Sequence, residues 1–187
     1  MQSSKQQWAF DQMHSSVNFT VRHMVVSKVR GRFAKWDGTL AMDEKDPSGG
    51  SVDVAIDAAS IDTGVDQRDG HLRSPDFFDV ERYPTITYRS TRVEKAGAGA
   101  LKVTGDLTMH GVTRPVVLDV EYAGSTKDPW GGERAGFSAR AQIDRKDFGL
   151  TYNQLLETGG VLVGESVEIA IEAELVKKVE SPAAVAA

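Results

Sequence analysis

The titratable side chains that could do chemistry are most concentrated in one stretch, residues 62–84, which reads DTGVDQRDGHLRSPDFFDVERYP. A histidine close to a carboxylate can exchange a proton with a substrate. Five residues of this stretch could assemble such an acid/base cluster, namely Arg68, Asp69, His71, Arg73 and Asp76, with Asp69 and His71 as the candidate acid and base groups of an enzyme. Arginine and aspartate side chains this close together on a short helix more often pair with each other and with the helix ends, and we favour that structural interpretation. The functional role that remains for Arg68, His71 and Arg73 is recognition of an anionic or carbonyl head group.

Other kinds of reactive centre have little support. The chain has no cysteine, which excludes disulfides, thiolate nucleophiles and cysteine-ligated metals. It has no G-x-S-x-G nucleophile elbow, and its histidines do not have the spacing of a metal motif. We therefore expect no metal and no catalytic group. Each of the four histidines is expected to bind a backbone carbonyl or a carboxylate, or else to contribute to a polar pocket mouth: His14, His23, His71 and His110.

The same stretch predicts two short helices. Asp62 or Thr63 could accept hydrogen bonds from the first N–H groups of a helix over Val65–Arg73. The tripeptide at 74–76, Ser-Pro-Asp, predicts a second helix start, because serine caps, proline suits the first helical position and aspartate favours the positive end of the dipole. Phe77 and Phe78 follow, and at least one ring should point into the space that the strands enclose. We interpret this island as a helical plug or lid.

Period-two alternation dominates the rest of the chain, as expected of strands with one buried and one exposed face. Val52, Val54 and Ile56, for example, alternate with Asp53 and Asp57. About eight such strands, joined mostly by short turns, should pair antiparallel in sequence order, and closure into a barrel removes their exposed edges. The sequence thus predicts an all-β fold: an eight-stranded antiparallel up-and-down barrel with a short helical insertion between strands 3 and 4.

Length and composition place this barrel in one ordinary globular domain. We predict a single domain over residues 1–178 and a disordered tail over residues 179–187. Within the domain, the alternation predicts one long strand over Val29–Met42. The net charge of −5 argues against nonspecific binding of nucleic acid and against a basic membrane-surface patch. No stretch reaches the roughly 18 apolar residues of a membrane helix or forms the core of a signal peptide. We therefore expect a cytoplasmic protein, or a periplasmic one if a signal has been removed.

The barrel interior could be solid or open. An eight-stranded barrel is either filled by its own side chains or holds one small ligand. The inward positions include Gly105, Ala139 and Ala141, which leave space unless a neighbour fills it. The pattern modestly favours an apolar pocket, and a solid structural core is the alternative.

An ordered set of motifs resembles the YceI-like family over about Trp8 to Leu175. The motifs are D-x-x-H-S-x-V-x-F-x-V-x-H at 11–23, G-x-F at 31–33, S-I-D-T at 60–63, R-D-x-H-L-R-S-x-D-F-F-D at 68–79, Y-P at 83–84, G-x-L-T-x-H-G-V-T-R-P at 105–115 and R-x-D-F-G at 145–149. The resemblance implies a lipocalin-like barrel whose pore holds a long-chain isoprenoid lipid, such as a polyprenyl phosphate or a quinone. Our leading hypothesis is a carrier or storage protein rather than an enzyme, with the bound lipid as partner and no other cofactor.

If the pore is open, its lining should come from the inward stripes and the helical island. We expect the following residues to line it: Phe19, Val21, Phe33, Ile56, Phe77, Phe78, Ile86, Tyr88, Leu107, Met109, Leu118, Phe137, Ile143, Ile169 and Ile171. The head-group candidates are Arg68, His71 and Arg73. A homodimer is plausible, because an open barrel mouth exposes apolar surface.

Overall fold

The computed structural model describes residues 5–179, so most of the predicted tail lies outside the described residues. The strands are β1 (Gln6–Phe10), β2 (Ser16–His23), β3 (Ser27–Phe33), β4 (Trp36–Met42), β5 (Ser51–Asp57), β6 (Ile61–Asp62), β7 (Thr85–Gly97), β8 (Ala100–Met109), β9 (Val112–Lys127), β10 (Glu133–Asp144) and β11 (Val163–Lys177). One α-helix, α1 (Asp66–Arg73), and two short 3-10 helices, Ala58–Ser60 and Arg145–Phe148, complete this part of the chain. No helix of residues 5–179 is long and apolar enough to cross a membrane.

The strands close into a ring. Its order is β1-β4-β5-β7-β8-β9-β10-β11, and β11 pairs back with β1. β2, β3 and β6 extend the ring towards one end, because β2 pairs with the first part of β11, β3 pairs with β2, and β6 pairs with β3. Each of the pairs β1/β2, β3/β4 and β5/β6 is therefore one barrel strand in two parts. The predicted eight-stranded antiparallel barrel is confirmed.

The predicted single strand over Val29–Met42 is wrong, because it breaks between β3 and β4. Ser60, from the 3-10 helix that follows β5, occupies the break. Its carbonyl oxygen accepts a hydrogen bond from Ala34 N at 3.0 Å, and its Oγ accepts one from Lys35 N at 3.0 Å. The break allows β4 to stay in the ring while β3 turns to pair with β6.

The antiparallel order gives the barrel two distinct ends. The helix end carries α1, the β2–β3 turn at 24–26, the β8–β9 turn at 110–111 and the segment 149–162. The floor end carries the connections 43–50, 98–99 and 128–132. Since α1 lies between β6 and β7, it occupies the predicted place between the third and fourth barrel strands.

The helical island differs from the prediction in its caps. Val65 is the N-cap of α1, and its apolar side chain cannot form a capping hydrogen bond. The two predicted caps bind elsewhere: Asp62 accepts from Gly64 N at 2.9 Å, and Thr63 binds Asp69. Residues 74–82 form turns rather than the predicted second helix. The Ser74 hydroxyl is still used locally, since its Oγ accepts a hydrogen bond from Asp76 N at 3.3 Å.

A compact apolar cluster closes the floor end. Its four central side chains are at most 2% exposed: Trp8, Met42, Ala135 and Leu175. Around them the ring centroids of Tyr122 and Phe137 stack at 4.8 Å. The barrel is therefore plugged at the floor by packing, and its interior space lies between this floor and the helix end.

Candidate functional site: the barrel cavity

An apolar cavity of about 680 Å³ occupies the interior, within the roughly 300–1,000 Å³ typical of small-molecule sites. All fifteen residues predicted to line the pore lie on its wall. Phe77 is buried and Phe78 packs edge-on against Phe33 with ring centroids 5.9 Å apart, so both rings of the island point inward. The solid-core alternative does not describe this barrel.

Only some of the small inward residues leave space. Ala139 lines the cavity, whereas the space beside Gly105 is taken by the Tyr88 ring. The Tyr88 hydroxyl, which is buried, donates to the carbonyl oxygens of Val103 (3.0 Å) and Val116 (3.2 Å). Burial raises the pKa of this phenol, so it stays neutral at physiological pH.

Replacing Gly105 with alanine should therefore destabilise the barrel. A Cβ at this position would lie 2.5 Å from Tyr88 Cζ and 2.7 Å from the Arg89 carbonyl oxygen. Both distances are shorter than a van der Waals contact, so the backbone or the Tyr88 ring would have to move. We expect urea unfolding to show a loss of about 1–3 kcal/mol in the free energy of unfolding. Gly70→Ala is the matched control, because a Cβ there meets nothing within 4 Å and should stabilise α1 by about 0.5–1 kcal/mol. Equal effects of the two substitutions would contradict this packing.

The charged groups of the cavity lie at one end only. Among residues 5–179, the charged and histidine residues on its wall are all at the helix end: His23, Arg68, His71 and Arg145, with Arg22 at the rim, where its side chain is exposed. The wall towards the floor is built from aliphatic side chains, among them Leu40, Met42, Val52, Leu101 and Leu175. The arrangement suits a ligand with a long apolar part and a polar group at one end.

Arg68 and Arg73, two of the three predicted head-group residues, separate in the structure. Arg68 lines the cavity, where Thr63 holds it through Nε to Oγ1 at 2.7 Å and Nη2 to the carbonyl oxygen at 2.9 Å. Arg73 is not on the cavity wall. Its guanidinium donates to the carbonyl oxygens of Ala59 (2.8 Å) and Ile61 (3.0 Å), which ties α1 to the neighbouring backbone.

His71, the third candidate, lies on the wall with an acidic and an aromatic neighbour. Its Nε2 is 2.8 Å from Asp76 Oδ2, and its ring meets Tyr152 and Phe77 edge-on at 4.9 and 5.1 Å. Asp69, the candidate partner for acid/base work, is buried and accepts from Thr63 N (2.9 Å) and Thr63 Oγ1 (2.5 Å). The two side chains therefore bind different partners and do not form an acid/base pair.

Sequence reasoning missed Arg145. Its side chain is buried on the cavity wall and donates to the carbonyl oxygens of Gly164 (2.8 Å), Leu150 (2.5 Å) and Val163 (3.3 Å). It forms no ion pair with any described residue, and burial lowers its pKa. A guanidinium has five N–H donors, so this cation keeps unused donors beside the cavity. The carboxylates of Glu165 and Asp144 attract it without forming an ion pair. The R-x-D-F-G motif was the available signal, but nothing in it shows that the arginine is buried.

Two of the remaining histidines, His14 and His110, bind as a structural role predicts, while His23 lies on the cavity wall. His110 Nδ1 lies 3.1 Å from the Phe148 carbonyl oxygen, and His14 Nδ1 lies 3.1 Å from Asp11 Oδ2. His14, Asp11 and Glu174 also form a cluster whose atoms are close enough to hold a metal ion. An arginine already occupies it, because Arg134 Nη1 donates to Asp11 at 2.8 Å and to Glu174 at 2.5 Å.

Arg134 should stabilise the barrel in a pH-dependent way. It also donates to Asp128 at 3.0 Å, and with His14 it lowers the pKa of Asp11 to about 2. A carboxyl whose pKa is depressed on folding stabilises the native state above its unfolded value, near 4, and loses that contribution as the pH falls towards 2. Arg134→Met should therefore lower the Tm at neutral pH by on the order of 5 °C, and the difference from the wild type should shrink between about pH 4 and pH 2.

The matched control for this prediction is Arg89→Met. Arg89 pairs with Asp53 at 2.8 Å, but both side chains are exposed. Exposed pairs contribute about 0–1 kcal/mol, so the Tm should change by no more than about 3 °C. An Arg134 effect that is the same at pH 7 and near pH 2 would contradict the role of these carboxylates.

Comparison with known proteins agrees with the barrel and its motifs. A family model described as the YceI-like domain matches residues 8–175. Protein YceI of Escherichia coli is 47% identical over 137 residues, 73% of this chain and 71% of that protein. The crystal structure of Burkholderia cenocepacia BcnA superposes with a TM-score of 0.77 at 25% identity, covering 88% of this chain and 98% of that one.

A second similar structure is that of a polyisoprenoid binding domain from Saccharophagus degradans, implicated in plant cell wall breakdown. Its TM-score is 0.66 at 18% identity, with coverage of 91% of this chain and 98% of that domain. At this identity the likeness shows the fold alone. The family model and the E. coli relative, by contrast, cover most of the chain at the level of sequence. The chain belongs to the YceI-like family.

Proposed function

We propose that this protein binds one long-chain isoprenoid lipid, a polyprenyl phosphate or a quinone, as a carrier or storage protein. The apolar tail lies in the cavity and points to the floor, and the polar head lies at the helix end. The observation that carries the proposal is the one-ended polarity of the cavity, with aliphatic walls towards the floor and Arg68, His71 and Arg145 at the other end.

The energetics of such a ligand are favourable. Burial contributes ~0.8 kcal/mol per methylene-sized group, so each five-carbon isoprene unit adds about 3–4 kcal/mol before the cost of ordering the chain. A few units in the cavity suffice for tight binding. A site of this kind selects for the length and girth of the chain more than for its chemical detail.

The head group is the part that the polar residues can recognise. Arg68 forms no ion pair with any described residue, and its Nε and Nη2 are held by Thr63, so the guanidinium is positioned in advance. Arg145 adds a second cation that forms no ion pair with any described residue, although Glu165 and Asp144 attract it. Two such cations favour a phosphate over a neutral head, because charge-assisted hydrogen bonds to an anion are about twice as strong as neutral ones. The Saccharophagus domain, described as polyisoprenoid binding, lends support to the ligand class.

Catalysis is the weaker alternative. It assigned acid/base work to Asp69 and His71, but Asp69 is buried and binds Thr63. His71 pairs with Asp76, another member of the predicted cluster, so this pair is what the catalytic alternative still rests on. His71→Ala separates the two functions. A binding protein should change affinity at most, whereas an enzyme that uses this imidazole should lose turnover.

Arg68→Gln tests the assignment of the head-group end. We expect the variant to bind a polyprenyl phosphate about tenfold or more weakly, because it loses a charge-assisted contact, and to bind the corresponding polyprenol as the wild type does. Arg114→Gln, on the exposed face of β9, is the matched control with the same charge change. Fluorescence titration of the purified protein measures all four affinities. Equal loss for the phosphate and the alcohol would place the head group elsewhere.

A further inference from the structure

Several of the large apolar side chains exposed on this protein lie together at the helix end. Met24, Val25 and Val26 form the β2–β3 turn and are 44, 63 and 85% exposed, and Leu155 in the neighbouring loop is 86% exposed. The two segments are joined, since Met24 N donates to the Leu162 carbonyl oxygen at 2.9 Å. A Cβ on Gly160 would lie 3.7 Å from Val25 Cγ2, so the loop also packs against the turn. We call these four residues the apolar tip.

The backbone of the turn is strained, and the turn lacks the glycine or asparagine residues that would lower the strain. Met24 and Val25 have φ angles of 51° and 65°, in the left-handed region that glycine or asparagine adopts at low cost. Each such residue costs about 1–3 kcal/mol, and a β-branched side chain is especially unusual there. The sequence thus keeps bulky apolar groups where small polar ones would give a more stable turn. Such strain is typical of positions under functional constraint.

The hairpin below the apolar tip is basic on its outer face. We call Arg22, Lys28, Arg30 and Arg32 the basic face; they point outward from β2 and β3, and Arg22 lies directly across from Lys28. Two of these cations form ion pairs, with Lys28 Nζ 3.7 Å from Glu168 Oε1 and Arg32 Nη2 3.0 Å from Asp62 Oδ2. Arg22 and Arg30 form no ion pair with any described residue. The net charge of −5 predicts no basic membrane-surface patch, but the basic face is a local concentration of positive charge.

We propose that the apolar tip and the basic face together dock the protein on the surface of an anionic lipid bilayer, with the cavity opening turned towards the membrane. Apolar side chains that enter the acyl boundary, flanked by cations that meet lipid phosphates, are the features of interfacial binding. His23 and Leu162 line the cavity and adjoin the apolar tip, so docking places the opening at the lipid source. The idea that docking lets the cavity take up lipid from the membrane rests on the proposed function, whereas the docking itself does not.

A second copy of the chain fits this surface poorly. A two-fold dimer through the apolar tip would bring the same patch of both copies together. Arg22 and Arg30, which form no ion pair with any described residue, would then place like charge on both sides of the interface. The bilayer offers phosphates at the same positions, and charge complementarity therefore favours the membrane.

Flotation with vesicles tests the docking. The full chain should float with vesicles of phosphatidylcholine with a quarter of phosphatidylglycerol, and bind pure phosphatidylcholine much more weakly. Replacing the turn by Met24→Asn, Val25→Gly and Val26→Ser suits the same φ angles, so it should fold at least as well and lower the partition coefficient tenfold or more. Arg22→Gln with Arg30→Gln should lower binding to the anionic vesicles by about tenfold or more, and leave the neutral ones unchanged.

Matched controls lie elsewhere on the barrel. Trp130→Ser removes an equally exposed apolar side chain at the floor end, and Arg114→Gln with Lys127→Gln removes two cations from β9. Neither should alter flotation. Wild-type binding by the turn variant, or equal losses in the controls, would overturn the proposal. So would a turn variant that changes only the sedimentation of the protein alone, since the apolar tip would then be a dimer surface.

Uptake of a lipid from detergent micelles distinguishes the docking proposal from the proposed lipid-binding function. The turn variant should still take up a polyprenol presented in detergent micelles, because its cavity is intact. Failure of every form, including the wild type, to take up lipid while vesicle binding persists would overturn the proposed function and leave the docking standing.

Discussion

A tryptophan in place of Ala139 is expected to remove isoprenoid binding while leaving the barrel folded. Ala139 is one of the small residues on the cavity wall. It lies on β10, where it pairs with Val120 of β9 and Ile171 of β11. An indole there extends into space that the lipid tail would use. Loss of one isoprene unit from the cavity costs about 3–4 kcal/mol, so the affinity for a polyprenol should fall a hundredfold or more. Titration of the variant, alongside its Tm, measures this.

The neighbouring residue provides the matched control. Arg140 is exposed on the outer face of β10, so Arg140→Trp adds the same ring outside the barrel. Its affinity for the polyprenol should equal that of the wild type. If Ala139→Trp binds normally with an unchanged Tm, the tail does not lie beside β10 and the assigned path of the ligand is wrong.

The largest effect on stability is expected from the floor. Trp8 is fully buried between Met42 and Leu175, and its removal leaves a large void under the cavity. Trp8→Ala should lower the free energy of unfolding by about 3–5 kcal/mol, measured by urea denaturation. An opened floor should also let water into the lower cavity, so the affinity for a polyprenol should fall with the stability.

Trp130→Ala is the control with the same change of side chain. Trp130 is 85% exposed in the connection between β9 and β10. Its removal should change the free energy of unfolding by less than about 0.5 kcal/mol. Comparable losses for the two tryptophans would show that the floor cluster does not hold this end of the barrel together.

The strands and the pore lining could be predicted because one physical rule determines both. In a closed barrel every second residue of a strand points inward, so alternation in the sequence identifies the wall without the exact register. The fifteen predicted residues therefore lie on the cavity, although their contact with a lipid stays a prediction. Phe77 and Phe78 were predictable for a different reason, since adjacent aromatic residues in a polar island have to be covered.

The polar groups of the site could not be predicted in the same way. Arg145 is held by carbonyl oxygens at 150, 163 and 164, and no pattern in the sequence brings those positions together. Arg73 carries the same charge as Arg68 five residues earlier, but the direction of each side chain depends on how α1 lies against the barrel. The predicted N-cap of α1 was wrong because the Thr63 side chain binds Asp69 in the tertiary structure. Local propensity does not show that competition.

The most direct test of the account is the mass of what the barrel holds when the protein is purified from cells. Native mass spectrometry with organic extraction should show the 20.3 kDa chain carrying one isoprenoid lipid, and Ala139→Trp should appear without it. A wild-type chain that is bare, and that also takes up neither polyprenol, polyprenyl phosphate nor quinone when these are added, would contradict the proposed function.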